Sequence, residues 1–458
     1  MLNKIEEYIQ RHRLFNMNYP ILVACSGGRD SMFLVDVLQR LGYTFAIAHC
    51  NFRLRGEESD GDAEFVRLAA KRFGCDLFSQ DFDTLDYAKE KHISIQEAAR
   101  ELRYHWLEEM RKKNGFSCIV TAHHANDQAE TVLIHLAQGS GIKGMQGILP
   151  KNRNIVRPML SITRNEIDQY IKENSVSYRE DSSNVQDKYR RNFIRHHIIT
   201  ALEQVNLQAV RNTADTAELC REAYILYEEA IRAIAKKALI KYEDYTKVYY
   251  RLLLQHTASR TLFYALLSPY GASPALAEEI RVDLISKVGN GAQYITNTHR
   301  IIVERNYLCI IAKDSANGSP LLTFDKIPKQ IHFGTYSIKV TVKPIAKVNM
   351  KATERYAYFD AATLKFPLRI RYQQTADYFY PIGMTKVGQP HKIGKKKVSK
   401  YFKDEKFSTL QKETTPLLFS GDRLIWIVGN RIDDRHKVTD ATKEVVQMLL
   451  LNNPNHEG

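Results

Sequence analysis

The stretch Ser26-Gly27-Gly28-Arg29-Asp30-Ser31 brings together the residue types that hold phosphate. Its two glycines allow backbone angles and a close approach that a Cβ would block. Backbone N–H groups around Ser26, Gly27 and Gly28 can form an anion-binding nest, to which the Ser26 and Ser31 hydroxyls add donors. Asp30 would repel a chain of phosphates unless a cation lay between them, which gives it a Mg²⁺-binding role. The plainer readings are a tight turn and a carboxylate that merely starts a helix. The order Ser-Gly-Gly-x-Asp-Ser favours the phosphate cradle.

A second set lies in Thr121-Ala122-His123-His124-Ala125-Asn126-Asp127-Gln128-Ala129-Glu130-Thr131. On a helix starting at Asn126, Asp127 and Glu130 are three apart and face the same way, with His123 in the loop before them. Paired carboxylates can bind a metal, accept a proton or hold an ammonium group. Two solvated acids favoured by the helix dipole are the bland alternative, which loses force beside a phosphate loop. Arg100 and Arg103, on a strongly apolar helix, could reach a bound phosphate and neutralise its charge. A surface ion pair with Glu97 or Glu101 is the competing reading. Arg55, at the end of His49-Cys50-Asn51-Phe52-Arg53-Leu54-Arg55, is a further phosphate or substrate candidate.

Two basic runs, residues 190–197 and 391–403, alternate with Tyr189, Phe193, Tyr401 and Phe402. Lysine and arginine attract phosphates, and aromatic rings stack unpaired bases, so together the runs favour a structured RNA over a solvated face. Two glycine motifs are decoys. Gly139-Ser140-Gly141-Ile142-Lys143-Gly144 fits the dinucleotide fingerprint but follows a helix instead of a strand, so it reads as a helix-ending loop. Gly388 to Lys395 has one residue too many for a Walker loop, and Lys396 stands where Ser or Thr belongs.

These residues need a frame. Ile21 to Ala24 reads as a buried strand, and Met32 to Leu38 as the apolar side of a helix. Strand-like Tyr43–His49 and Ser117–Ala122 alternate with helical Asp62–Phe73, Gln96–Lys113 and Asn126–Gln138. Such alternation predicts a parallel sheet covered on both faces, with ligands beyond the carboxyl ends of its strands. His49, Asn51, His123 and His124 fall at that edge with the glycine loop. Helical periodicity runs from about residue 208 to 286, and the period then drops towards two. The expected organisation is an α/β nucleotide-binding domain at 1–215, a mostly helical domain at 216–345 and a small α+β domain at 346–458.

Composition sets the outer limits. A chain of 458 residues, 44% of them hydrophobic, is long enough for several real cores. A net charge of +14 suggests a polyanionic partner. The six cysteines are scattered singly, which argues against a disulfide framework or a zinc or iron–sulfur site and fits a reducing cytoplasm. No stretch is apolar enough to cross a bilayer, and the charged amphipathic start lacks a signal-peptide block.

The Ser26–Ser31 loop resembles that of the pyrophosphate-loop ATPases, which cut ATP between its α and β phosphates. The motifs together resemble the tRNA(Ile)-lysidine synthetase family over nearly the whole chain. The specific part comprises the loop, His-x-Asn-x-x-Leu-Arg at 49–55, and Glu97-Ala98-Ala99-Arg100-x-x-Arg103-Tyr104. It continues through 123–147, Glu180-Asp181-Ser182-Ser183-Asn184 and Tyr189-x-Arg191-Asn192-Phe193-Ile194-Arg195. At position 52, where many members carry a second histidine, this chain has Phe52.

The resemblance implies a two-step reaction on an isoleucine tRNA with a CAU anticodon. ATP adenylates the 2-oxo group of the wobble cytidine, and lysine then attacks through its side-chain amine and expels AMP. It implies that Ser26, Gly27, Gly28, Asp30, Ser31 and Arg103 hold ATP and Mg²⁺. His123, Asp127 and Glu130 would hold lysine. Arg191, Arg195, Lys395, Lys396 and Lys397 would hold tRNA, with Asp30, Arg103 and Asp127 as the catalytic set. It is also compatible with a homodimer. Three rivals are weaker: a tRNA thiolase lacks its paired cysteines here, a small-molecule amide ligase has no need of two basic regions, and a non-enzymatic RNA-binding protein has no need of Asp30 beside the acidic pair.

Overall fold

The computed structural model describes residues 1–54, 56–180, 190–287, 289–313, 321–350, 353–386 and 389–452. The chain divides into two compact units, 1–229 and 230–458.

The first unit is built on a six-stranded sheet. In chain order its elements are α1 (Leu2–Arg11), β1 (Ile21–Ala24), α2 (Arg29–Arg40), β2 (Phe45–Asn51), α3 (Glu57–Phe73), β3 (Leu77–Asp81), α4 (Thr84–Lys91), α5 (Ile95–Lys113) and β4 (Ile119–Val120). Then come α6 (Ala125–Ala137), α7 (Gly141–Met145), β5 (Lys151–Asn152), β6 (Ile155–Val156) and α8 (Arg164–Asn174). The sheet order is β3-β2-β1-β4-β6-β5, parallel except for β5 at the edge. Successive strand residues face opposite ways, so Ile21 and Val23 enter one core with Phe33, Leu34 and Ile167, while Leu22 joins Trp106, Leu107 and Ile119 on the other face. Both faces are covered, as the alternating pattern predicts.

From β1 the chain steps outward through β2 and β3, then returns to place β4 on the other flank of β1. Ligands of open α/β sheets bind at such a switch point. The Ser26–Asp30 loop leaves β1 there, and the His123–Glu130 stretch leaves β4 beside it.

Beyond β6, α9 (Arg190–Phe193) runs into a π-helical stretch, Ile194–Ile199, then α10 (Thr200–Val205) and the long α11 (Ala209–Ala238). The expected boundary at 215 falls inside α11. Ile199 and Val210 pack on Ala125 and Ala129 of α6, which fixes the π-helical stretch over the first turns of that helix.

In the second unit the end of α11 is followed by a hairpin where helical periodicity suggested a continuing helix: β7 (Leu239–Lys241) and β8 (Tyr245–Val248). With β9 (Gln293–Ile295), β10 (His299–Val303) and β11 (Leu308–Ala312) they form an antiparallel sheet in the order β7-β8-β11-β10-β9. Helices α12 (Tyr250–Leu254), α13 (Ser259–Leu267) and α14 (Pro274–Ile285) share its core through Leu253, Phe263, Leu267 and Ile280. Gly271, at φ +83° between α13 and α14, makes the expected helix–helix link. Farther on, two four-stranded antiparallel sheets enclose Phe359, Trp426, Ile370 and Met448. The α/β reading of the first unit and the helical and α+β reading of the rest therefore hold, with more strand in the middle than periodicity indicated.

Candidate active site

The phosphate loop is shaped by its glycines and braced from both sides. Gly27 has φ +84°, and a Cβ there would lie 3.1 Å from Val66 Cγ2. Its carbonyl accepts from Arg179 N–H at 3.0 Å, and Arg179 in turn pairs with Asp62 at 2.6 Å. Gly61 allows this, since a Cβ on α3 would meet the Arg179 guanidinium at 3.0 Å. Ser31 Oγ donates to Gly28 O at 2.8 Å and lies 3.3 Å from Ser26 Oγ, whose own oxygen accepts from Gly28 N–H. Arg29 turns away, bonding Asp168 at 2.6 Å and stacking over Tyr178, so it anchors α2 to α8. Helices α5, α6 and α8 each begin with a capping box, but α2 has no side-chain cap. Its first N–H groups are left for an anion.

Asp30, in the first turn of α2, faces α6. Its Oδ2 is 3.5 Å from His124 Nε2, and its Oδ1 is buried with no hydrogen-bond partner among the described residues. Burial alone would raise the Asp30 carboxyl, but His124 and the Arg164 guanidinium outweigh it and hold the group below its ordinary value. It is therefore an anion with one free oxygen, which fits a cation ligand. Among the described residues no group of three or more His, Cys, Asp or Glu could hold a metal alone. A cation that takes one or two carboxylates and completes its shell from phosphates and water, as Mg²⁺ does, could be held by Asp30.

His124 starts α6. Its Nδ1 accepts from Asn126 N–H at 3.2 Å, so the ring hydrogen is on Nε2, which is 3.6 Å from Asp127 Oδ2 as well as near Asp30. Asp127 Oδ2 also accepts from His124 N–H at 3.0 Å, closing the capping box. Burial would raise Asp127 too, but His124 and Arg191 reverse it, and it stays below its ordinary value. His123 Nδ1 lies 3.0 Å from Thr121 Oγ1. Burial pushes the His123 ring down to about 4, so it is neutral at ordinary pH.

The acidic pair meets the first basic run. Arg191 reaches Glu130 Oε2 through Nε at 2.5 Å and Asp127 Oδ1 through Nη2 at 2.7 Å. Arg195 Nε holds Glu130 Oε1 at 2.6 Å. Glu130 is fully buried with both oxygens taken, whereas Asp127 is 15% exposed. The sequence suggested separate roles for these acids and arginines, but here they form one network.

Arg100 and Arg103 are on α5. The Arg103 guanidinium lies 5.1 Å from the Phe52 ring centroid, and Phe52 stacks on Phe82. Arg100 lies over Tyr104. His49 is buried, with Nδ1 2.9 Å from Cys25 O. The Cys25 thiol is buried, which pushes it up from its ordinary value, as expected of a packed strand residue. Arg55, residues 181–189 and the Gly388 end of the Walker-like decoy lie outside the described residues. The other decoy is a helix-ending loop, with Gly139 at φ +69° just past α6.

In the second unit, Lys395 Nζ is 3.5 Å from the Tyr378 ring centroid, and Lys396 pairs with Asp404 at 2.8 Å over Tyr401. Lys397 is exposed at the start of the next helix, Val398–Asp404, in which Tyr401 and Phe402 are core residues. Three participants had little sequence signal: His124 as bridge, Arg164 beside Asp30, and Phe52 under Arg103. Of these only His124 is marked by position, at the carboxyl edge.

Comparison with known proteins gives the family. Residues 2–202 match a family model described as PP-loop domain. Residues 241–313 match the TilS substrate binding domain, and residues 368–448 the TilS substrate C-terminal domain. A tRNA(Ile)-lysidine synthase of Parabacteroides distasonis is 38% identical over 98% of this chain and 100% of the relative. Proteins of the same name from Bacteroides thetaiotaomicron and Porphyromonas gingivalis are 35% and 34% identical, covering 97% and 98% of this chain and 98% of each relative. With its phosphate loop, acidic pair and both substrate domains, the chain belongs to the tRNA(Ile)-lysidine synthase family.

Proposed function

We propose that this protein joins lysine to the 2-position of the wobble cytidine of an isoleucine tRNA with a CAU anticodon, through an adenylated RNA, in the cytoplasm. The observation that carries the reading is the convergence of Asp30, behind the phosphate loop, and Asp127, at the start of α6, on one imidazole. A phosphate-activating half and an amine-holding half meet at a single point beyond the strands.

In the first step the cytidine O2 attacks the α phosphorus of ATP, and the bond to the β phosphate breaks. The loop N–H groups, Ser26 and Ser31 hold the phosphates, and Arg103 offsets charge as pyrophosphate leaves. Asp30 would hold Mg²⁺, which when bound supplies charge neutralisation to the triphosphate. In the second step the lysine ε-amine, after losing a proton, attacks C2, and AMP departs with the former cytidine oxygen. Asp127 is the carboxylate we place against that amine, since it reaches solvent whereas Glu130 is fully buried between two arginines. His123, neutral beside it, can accept a hydrogen bond. Glu130 acts through Arg191 and Arg195, which would meet the backbone of the unpaired anticodon nucleotides. Lys395 and Lys397 would attract tRNA phosphates elsewhere.

The test uses ATP labelled at the α phosphate, tRNA and no lysine. Label should enter the RNA and return as AMP when lysine is added. Label that never enters the RNA contradicts the reading. Asp30→Ala should abolish the transfer while leaving tRNA binding intact.

A further inference from the structure

Resting on the reading above, we infer that His124 is a positioning residue that fixes the adenylating carboxylate, Asp30, against the amine-holding carboxylate, Asp127. The two acids come from different helices, α2 and α6, which follow the paired strands β1 and β4, so the sheet sets the distance between the helices and the ring acts on the side chains they carry. The ring between them is 2% exposed, so water does not do this work. Its Nδ1 accepts from Asn126 N–H, which places the hydrogen on Nε2 and aims it between Asp30 Oδ2 at 3.5 Å and Asp127 Oδ2 at 3.6 Å. At these distances the ring pairs with both carboxylates without a tight hydrogen bond to either.

The ring thus has two separable duties: capping α6 through Nδ1 and spanning two carboxylates through Nε2. Without the span the carboxylates could move apart, and misplacement of about 1 Å costs on the order of 100-fold in rate. Both half-reactions should suffer, because one carboxylate serves each. A residue that only caps a helix would change stability and leave the chemistry alone.

The two duties can be divided by substitution in the full chain. In His124→Asn the side-chain oxygen falls near the position of Nδ1 and keeps the cap, while the Nε2 donor is removed. In His124→Gln the amide nitrogen falls near Nε2 and restores a donor. Adenylation is read as pyrophosphate release with tRNA and ATP alone, lysine transfer as the KM and kcat for lysine, and folding as the thermal midpoint. His124→Asn should keep the wild-type midpoint, lose about 10–100-fold in kcat of adenylation and raise the KM for lysine. His124→Gln should recover most of both. Wild-type rates in His124→Asn overturn the inference. So does activity that falls only in step with the thermal midpoint, or equal loss in both variants. Wild-type protein that moves no lysine into RNA counts against the reaction itself and not against His124.

Discussion

Glu130 has no solvent-exposed surface, yet Arg191 Nε donates to its Oε2 at 2.5 Å from a helix some sixty residues away in sequence. Arg195 takes the other oxygen, so both oxygens of the buried carboxylate meet a guanidinium. Removing one partner of a buried pair costs about 3–5 kcal/mol. The guanidiniums here are 43% and 28% exposed, which lowers the expectation. Arg195→Ala should therefore destabilise the first unit by about 2 kcal/mol in urea unfolding, and the Arg191→Ala, Arg195→Ala double variant by more than either alone.

Phe52 gives Arg103 a face to rest on, 5.1 Å from guanidinium to ring centroid. An exposed cation–π contact is worth about 0.5–1 kcal/mol. Phe52→Ala should slow adenylation by about two- to fivefold without changing the KM for lysine. Steady-state rates with each substrate varied in turn check this, and a changed lysine KM contradicts it.

His123 titrates near 4 in the folded chain because burial disfavours its charged form, against about 6.5 when unfolded. The unfolded chain therefore binds the extra proton first as pH falls. His123 contributes nothing above about pH 6.5, and stability drops between about 6.5 and 4 by up to about 3 kcal/mol before levelling off. His123→Asn should remove that part of the acid sensitivity, as read by unfolding at a series of pH values.

Gly27 combines φ +84° with a Cβ position 3.1 Å from Val66 Cγ2. A left-handed angle costs an alanine about 1–2 kcal/mol before any clash. Gly27→Ala should lower the thermal midpoint and raise the KM for ATP, while lysine binding changes less.

Lys395, Lys396 and Lys397 divide into two kinds. Lys396 is committed to Asp404, so its replacement should act on stability. Lys395 and Lys397 are exposed, and replacing both should weaken tRNA binding and flatten its salt dependence, by roughly one unit of slope for each phosphate no longer neutralised. Filter binding across a salt series distinguishes the two.

The frame of the site was legible because its signals are local. An aliphatic run ending in Ser-Gly-Gly before an apolar helix announces β1, the loop and α2 within a short stretch of chain. The α6 acids follow the 3.6 period in the same way. What stayed hidden depends on partners far along the chain. The β7–β8 hairpin carries apolar residues at spacings a helix would share, and only pairing with β11 decides for strand. The pairing of Arg191 and Arg195 with Asp127 and Glu130 spans more than sixty positions, so charge read in sequence suggested solvated or RNA-facing side chains. His124 was hidden for a chemical reason: histidine is an uncommon helix cap, and its second nitrogen matters only once α2 has brought Asp30 beside it.

The most direct measurement is transfer of labelled lysine, with ATP present, into transcripts of an isoleucine and a methionine tRNA that share the CAU anticodon. The account predicts one lysine per isoleucine transcript at the wobble cytidine, with one AMP and one pyrophosphate released for each, and no transfer to the methionine transcript. ATP cleaved while lysine stays out of the RNA would contradict it.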